Sequence, residues 1–293
     1  MRRIGLADFP APTGRFPRAA RTPVMTPTPG KPSETDGSPD MAPVEDRDRL
    51  VEKVVRQLTR DIMAGIYGPG DRIREPEVSE RLGISRAPVR EALRNLEHEG
   101  MVEVMPWRGA RVINPSPDEI ADLFDLLAAV EGVVARLATR HASDEDLARY
   151  AKKVLEAAEV AREHKQKDFF EVIHVAYQAA EVLAASCGSA MAANMVRRIG
   201  KPAYWLHRFL MPAPQRWIQQ SLARQAALRD ALLARDEDRS ERAARALVGH
   251  TRRLVVLRAR EVEAAQGILH RAPAWNVGRI AAKEPARRRT RKD

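Results

Sequence analysis

Residues 72–113, RIREPEVSERLGISRAPVREALRNLEHEGMVEVMPWRGARVI, decide the fold of the first half of this chain. The spacing predicts a short helix over 76–82 that ends at Gly83, because glycine takes the left-handed C-cap without strain. Ser85 is placed to cap a second helix, and Pro88 falls in its first turn, where a missing N–H costs nothing. Along that helix Val89, Ala92, Leu93 and Leu96 recur at i, i+3, i+4 and i+7 and define a buried face. The opposite face carries Arg86, Ala87, Arg90, Arg94 and Asn95, residue types that meet phosphates and base edges. Gly100 stops the helix. A hairpin comes next, with Val102 and Val104 on one arm, Pro106-Trp107-Arg108-Gly109 as its turn, and Arg111 and Val112 on the other. A helix that reads the major groove beside a basic hairpin tip is a winged helix-turn-helix, and its expected partner is double-stranded DNA.

Working outward, Val51, Val54, Val55, Leu58 and Ile62 form one face of a preceding helix over about 48–64. Residues 1–46 hold nine prolines and no hydrophobic period, so they cannot bury enough apolar surface to offset their ordering entropy and read as a disordered extension. The DNA-binding domain is expected over 47–115, with Asn114-Pro115-Ser116-Pro117 as the link to a second, helical domain. From 117 to 266 the pattern is helical throughout. Ile120, Leu123, Phe124, Leu127, Val134 and Leu137 make a first apolar stripe, and Leu147, Ala151, Val154 and Ala158 a second, after a Ser143 cap with Asp146 three residues on. A third helix over 168–186, a segment over 190–210 kinked at Pro202, and two more helices after Pro214 complete an antiparallel all-α bundle, the expected effector-binding and dimerisation domain. The fold class is therefore mainly α. Residues 267–293 read as a basic disordered tail.

The chain of 293 residues carries a net charge of +10, which favours an anionic partner without choosing between nucleic acid and membrane. The excess is unevenly placed: 47–115 holds 13 basic and 11 acidic side chains, and the stretch from Arg271 onward holds eight and two. The reader domain is thus patterned rather than saturated with charge. Cys187 stands alone, which excludes an intrachain disulfide or a Cys-rich zinc site and reads as a small buried residue. No stretch approaches the roughly 20 apolar residues of a membrane span. The N-terminus, broken by Pro10, Pro12 and Pro17, lacks the apolar core of a signal peptide, so a cytoplasmic, nucleoid-associated protein with no membrane partner is expected.

The block LGISRAPVREALRNLEHEGMVE resembles the GntR family of bacterial transcription regulators, and LVEKVVRQLTRDIMAGIYGPGDRI resembles that family's first helix and its adjoining turn. Carried over residue by residue, the resemblance implies recognition-helix contacts at Ser85, Arg86, Ala87 and Arg90, with Arg94 on the same face, and a wing tip at Arg108-Gly109. Many members have Thr where Ala87 stands, and some have a DNA-contacting Arg where Pro76 stands, so Arg74 is left as a phosphate candidate. Residues 117–262 are similar to the FCD-type helical sensor of the FadR-like subfamily, on DLFDLLAAVEGVVARLATRHASDEDL and SLARQAALRDALLARDEDRSERAARALVGHTRRLV. Such sensors bind a divalent metal through an Asp or Asn and three His, leaving room for a carboxylate effector. The implied ligand positions here are Ala176, Ala180, Gln225 and His250, so the metal site reads as lost and no cofactor is expected.

Two other arrangements in the bundle bear on this. Glu171 and His174 stand at i, i+3, a pairing used in metal-binding bundles, but no second such pair accompanies them. Arg197, Arg198, His207 and Arg208 lie on one segment, and an Arg turned inward would clamp an acidic effector. Tyr177, Arg208, Gln225 and His250 are the expected pocket residues; two alanines in place of polar ligands would favour a more apolar effector, or none. An enzyme is disfavoured by the absence of paired Glu-x-x-His motifs, a Gly-rich phosphate loop or a nucleophile elbow. The leading expectation is a homodimeric, effector-responsive repressor reading a short palindrome. The alternative, drawn from the ARRRTRK tail, is a nonspecific or architectural nucleic-acid-binding protein.

Overall fold

The computed structural model describes residues 44–105, 108–163, 169–210 and 215–266. The extension before residue 44, Pro106-Trp107 in the wing turn, the break at 211–214 and the basic tail lie outside the described residues. The reader comprises α1 (Val44–Met63), β1 (Arg72–Ile73), α2 (Glu75–Leu82), α3 (Arg86–His98), β2 (Val102–Met105) and β3 (Gly109–Val112). Helix α1 includes Val44, Glu45 and Asp46, residues of the stretch read as an extension. Leu58 and Ile62 of α1 join Val89, Ala92 and Leu96 of α3 in one fully buried cluster, so the i, i+3, i+4, i+7 pattern of α3 faces the first helix.

The turn between α2 and α3 is built by Gly83, which adopts φ 65° and lets its own N–H and that of Ile84 return to Glu80 O and Ser79 O. Ser85 occupies the N-cap of α3 in an extended conformation, but its hydroxyl makes no capping hydrogen bond. The capping expected of Ser85 is therefore positional only. The three strands pair antiparallel in the order β1-β3-β2, with Arg72 opposite Arg111 and Ile73 opposite Ala110. Strand β1 is two residues long, too short to show the alternation by which a strand is read from sequence. Gly109 opens β3 at φ 81°, and a Cβ there would stand 2.3 Å from the Ile73 carbonyl oxygen.

The second unit contains six helices among the described residues: α4 (Pro117–His141), α5 (Asp144–Glu163), α6 (Phe169–Ser186), α7 (Ala190–Phe209), α8 (Gln215–Leu233) and α9 (Glu237–Gln266). Two starts are capping boxes. Ser116 Oγ accepts from Glu119 N at 3.2 Å while Ser116 N donates to Glu119 at 2.8 Å, and Ser143 and Asp146 repeat the exchange before α5. Helices α4 and α9 are joined by a buried Thr139–Ser240 hydroxyl contact of 2.6 Å and by Arg136 on Glu241 at 2.9 Å. Gly132 permits their approach, since a Cβ there would meet the Arg245 side chain at 2.8 Å. Pro202 lies inside α7, which runs unbroken to Phe209.

Helix α7 also touches the reader. The Trp205 indole donates to the carbonyl of Ile62 in the last turn of α1 at 3.3 Å, and Lys201 pairs with Glu99, the C-cap of α3, at 2.6 Å. Exchange of Gly109 for Ala should displace β1 from β3, costing the reader about 2 kcal/mol or more. Hydrogen exchange at the amides of β1 and β3 would then accelerate while protection in α4–α9 stays as it is; equal protection in both proteins would show that the close approach is dispensable.

Candidate DNA-reading groove and effector cavity

One side of α3 and the wing enclose a groove lined by Arg72, Arg74, Arg86, Arg90, Arg94 and Arg108, with Glu75 as its acidic member. The weak overall charge of the reader is thus gathered onto one surface. Arg86, Arg90 and Arg94 stand one helical turn apart on α3 and are exposed because Val89, Leu93 and Leu96 take the buried side. Ser85 and Ala87 are exposed at the N-terminal end of α3, outside the groove lining. Arg108 is exposed on the wing, where its carbonyl accepts from Arg72 Nε at 2.8 Å. Gly109 is buried in β3, and the close Ile73 carbonyl gives it a steric task inside the sheet. Arg74 is already paired with Glu77 at 2.9 Å.

Glu75, which no sequence pattern singled out, forks onto Arg90: Nη2 to Oε2 at 3.0 Å and Nε to Oε1 at 3.2 Å. Its only sequence mark is an acid in the first turn of α2, where any helix favours one.

The bundle holds a cavity of about 130 Å³ bounded by α4, α6, α7, α8 and α9. Of the four expected pocket residues, Tyr177 and Gln225 line it, and Arg208 and His250 do not. The His250 ring stacks on Trp217, centroids 3.4 Å apart, with Nε2 at 3.4 Å from the Trp217 carbonyl. Arg208 turns to the Tyr204 hydroxyl, and its neighbour His207 takes the cavity wall, about 100° around the helix. Arg197 and Arg198 are exposed, Arg197 on Glu181, so neither faces inward. His174 bonds Tyr204 and Gln178 while Glu171 is exposed, so that pair does not converge on a ligand site.

The residue missed outright is Glu131, which enters the cavity from α4. A single acid within LLAAVEGVV was its signal, an ionisable side chain on an otherwise apolar run. Burial pushes its carboxyl up to about 7. Burial also lowers the imidazoles of His207 and His250 to about 4, so both are neutral in ordinary buffers.

Comparison with known proteins matches residues 50–112 to the model of bacterial regulatory proteins of the gntR family and residues 122–253 to the FCD domain. The HTH-type transcriptional repressor GlaR of Escherichia coli is 30% identical over 63% of this chain and 86% of its own. The chain belongs to the GntR family. The E. coli repressor RspR is 34% identical over 41% of this GntR chain and 53% of RspR. Among solved structures, E. coli McbR/YncC shares the fold at a TM-score of 0.59 and 18% identity, covering 70% of this chain and 96% of that one. A putative GntR regulator from Rhodococcus does so at 0.55 and 22%, with the same coverage. GntR proteins with an FCD domain are transcriptional regulators rather than enzymes; they bind DNA, and the FCD domain binds small effectors.

The donor set of this FCD domain does not fit a divalent metal. At the implied positions Ala176 and Ala180 present methyl groups, Gln225 an amide, and His250 a ring held against Trp217. Among the described residues no group of three His, Cys, Asp or Glu gathers as a metal would require.

Between the ordinary carboxylate range and about pH 7, folded Glu131 keeps a proton that the unfolded chain has released. Its contribution to stability is therefore present at low pH and lost as pH rises through 7. His207 and His250 act oppositely, withdrawing stability as pH falls from about 6.5 toward 4. Replacing Glu131 by Gln should raise stability at pH 8 by roughly 2–3 kcal/mol, with the gain shrinking toward pH 5. Urea denaturation at the two pH values checks this; a pH-independent difference would remove the titration of Glu131 as its cause.

Proposed function

We propose that this regulator is a cytoplasmic repressor that binds a short palindromic operator as a homodimer and releases it when a small molecule enters the bundle cavity without the help of a metal. The groove with six arginines carries the reading: α3 presents Arg86, Arg90 and Arg94 in one row, and Arg108 reaches from the wing. Arg86 and Arg90 suit base edges, and Arg108 and Arg72 suit phosphates that set the register. A two-fold axis placing two such helices one turn of DNA apart explains a palindromic site. The relatives GlaR and RspR both bear the name repressor, which supports the direction of regulation.

Helix α7 supplies the coupling. Gly200, Ala203, Tyr204 and His207 line the cavity, while Lys201 and Trp205 on the same helix hold Glu99 of the reader and the end of α1. A ligand that moves α7 moves the cap of the recognition helix, and only ligands that distinguish the two positions act as effectors. In vitro selection of random duplex DNA by the full-length protein should return a short inverted repeat. Recovery of unselected sequence would instead make the reader a general DNA anchor. On the selected site, Arg90→Ala should cost roughly 1–3 kcal/mol and relax preference at one base position, read by competition binding. Uniform weakening across all sequences would reassign Arg90 to phosphate.

A further inference from the structure

The polar wall of the cavity is unbalanced. Tyr177 is engaged by Glu181, Tyr204 by His174 and Arg208, and Thr251 by the Leu247 carbonyl. Gln225 and Glu131 stand apart from these. Gln225 Oε1 is buried without a hydrogen-bond partner, and the Glu131 carboxyl has no hydrogen bond or ion pair among the described residues. Both offer acceptor oxygens, and one belongs to an acid that becomes a full acceptor once ionised. No Lys or Arg is found among the described lining residues to answer them. A buried acceptor left unmade is costly, and a partly buried acid with no counter-charge adds to that cost, so the two groups together describe what belongs there.

We propose that the cavity takes a small primary amine on an aryl or compact alkyl stem, its ammonium held by Glu131 and Gln225. An ammonium carries three donors and no acceptor, matching two unfilled acceptors and leaving one N–H for Ser221 or water. Tyr177 and Tyr204, stacked with centroids 4.5 Å apart, border the same space and offer ring faces to a cation. Phe124, Leu127, Val196 and Leu247 line the rest, an apolar surface for the stem. The size of about 130 Å³ is near that of cavities that accept a single benzene-sized ring. Burial holds the Glu131 carboxyl near 7, and a bound ammonium removes that penalty. A carboxylate ligand would face an ionised Glu131 with like charge and find no Lys or Arg in the described lining. The inference rests on the bundle being the sensing unit of the regulator.

Calorimetric titration of the full-length protein with benzylamine, benzyl alcohol and benzoate, probes of one shape and three charges, tests it. Benzylamine should bind about tenfold or more tightly than benzyl alcohol, and benzoate should give no heat. Glu131→Gln should erase the preference for the amine while leaving benzyl alcohol within about twofold. Gln225→Leu, read alongside, should weaken benzylamine several-fold, which keeps the test decisive if one variant folds poorly. Equal or tighter binding of benzoate, an undiminished amine preference in Glu131→Gln, or no heat from any probe would overturn the amine assignment. Each of those outcomes leaves operator selection untouched, whereas unselected DNA from the selection experiment would sink the repressor reading whatever the amines do.

Discussion

The structure turns on one shared helix. Trp205 of α7 donates to the Ile62 carbonyl at the C-terminal end of α1, which also accepts from Gly65 N, and Lys201 pairs with the side chain of the residue that caps α3. Both contacts lie at helix ends of the reader, so the bundle is tied to it by directional bonds as well as by packing. Consecutive residues on a helix diverge by about 100°, and so Gly200 and Tyr204 line the cavity while Lys201 and Trp205, each one step on, hold the reader. Sensing and reading thus share a rigid element about one helix diameter thick. The buried cluster that spans Leu58 of α1, Phe124 of α4, Trp205 of α7 and Val255 of α9 makes motion of α7 independent of the reader expensive.

The groove shows a different economy. Arg90 is more than half exposed, and its pairing with Glu75 in a solvated groove is screened by water and weak. Such a bond holds the guanidinium in an extended pose yet yields readily to a guanine edge or a phosphate, which offer better geometry and release bound counterions. Glu75 also places a negative charge in the middle of six arginines. It lowers indiscriminate attraction to any phosphate run and makes the gain on a correct site depend on a contact that replaces it.

The reader was legible because its sequence is over-determined: a glycine at a positive φ, an i, i+3, i+4, i+7 face and a hairpin all agree. What was not legible involved partners far apart in sequence. Nothing near Arg90 announces Glu75, fifteen residues away, and a two-residue β1 has no period to detect. In the bundle, helix existence came from periodicity and the Ser143 cap with Asp146, but the cavity depends on rotation of each helix by a fraction of a turn. His207 and Arg208 are adjacent in sequence, and only packing decides that the imidazole lines the cavity while the guanidinium reaches past it. His250 lay on the expected inner face and was still lost to the site, because the Trp217 ring offered it a closer partner.

The chemistry of the cavity arises from the same competition for partners. Where a metal-binding bundle concentrates positive charge at its centre and recruits anions, this one has methyl groups at Ala176 and Ala180 and two acids in the wall, Glu181 paired with Arg197 and Glu131 without a counter-ion. With no cation to compensate it, that acid sits near 7 and is poised between neutral and charged forms in ordinary conditions. The sign of the central charge is therefore inverted relative to a metal-centred site, and the sign of the preferred ligand inverts with it. Because the Glu131 wall faces Tyr204 and His207 of α7, settling its charge changes the forces on the helix that holds the reader in place.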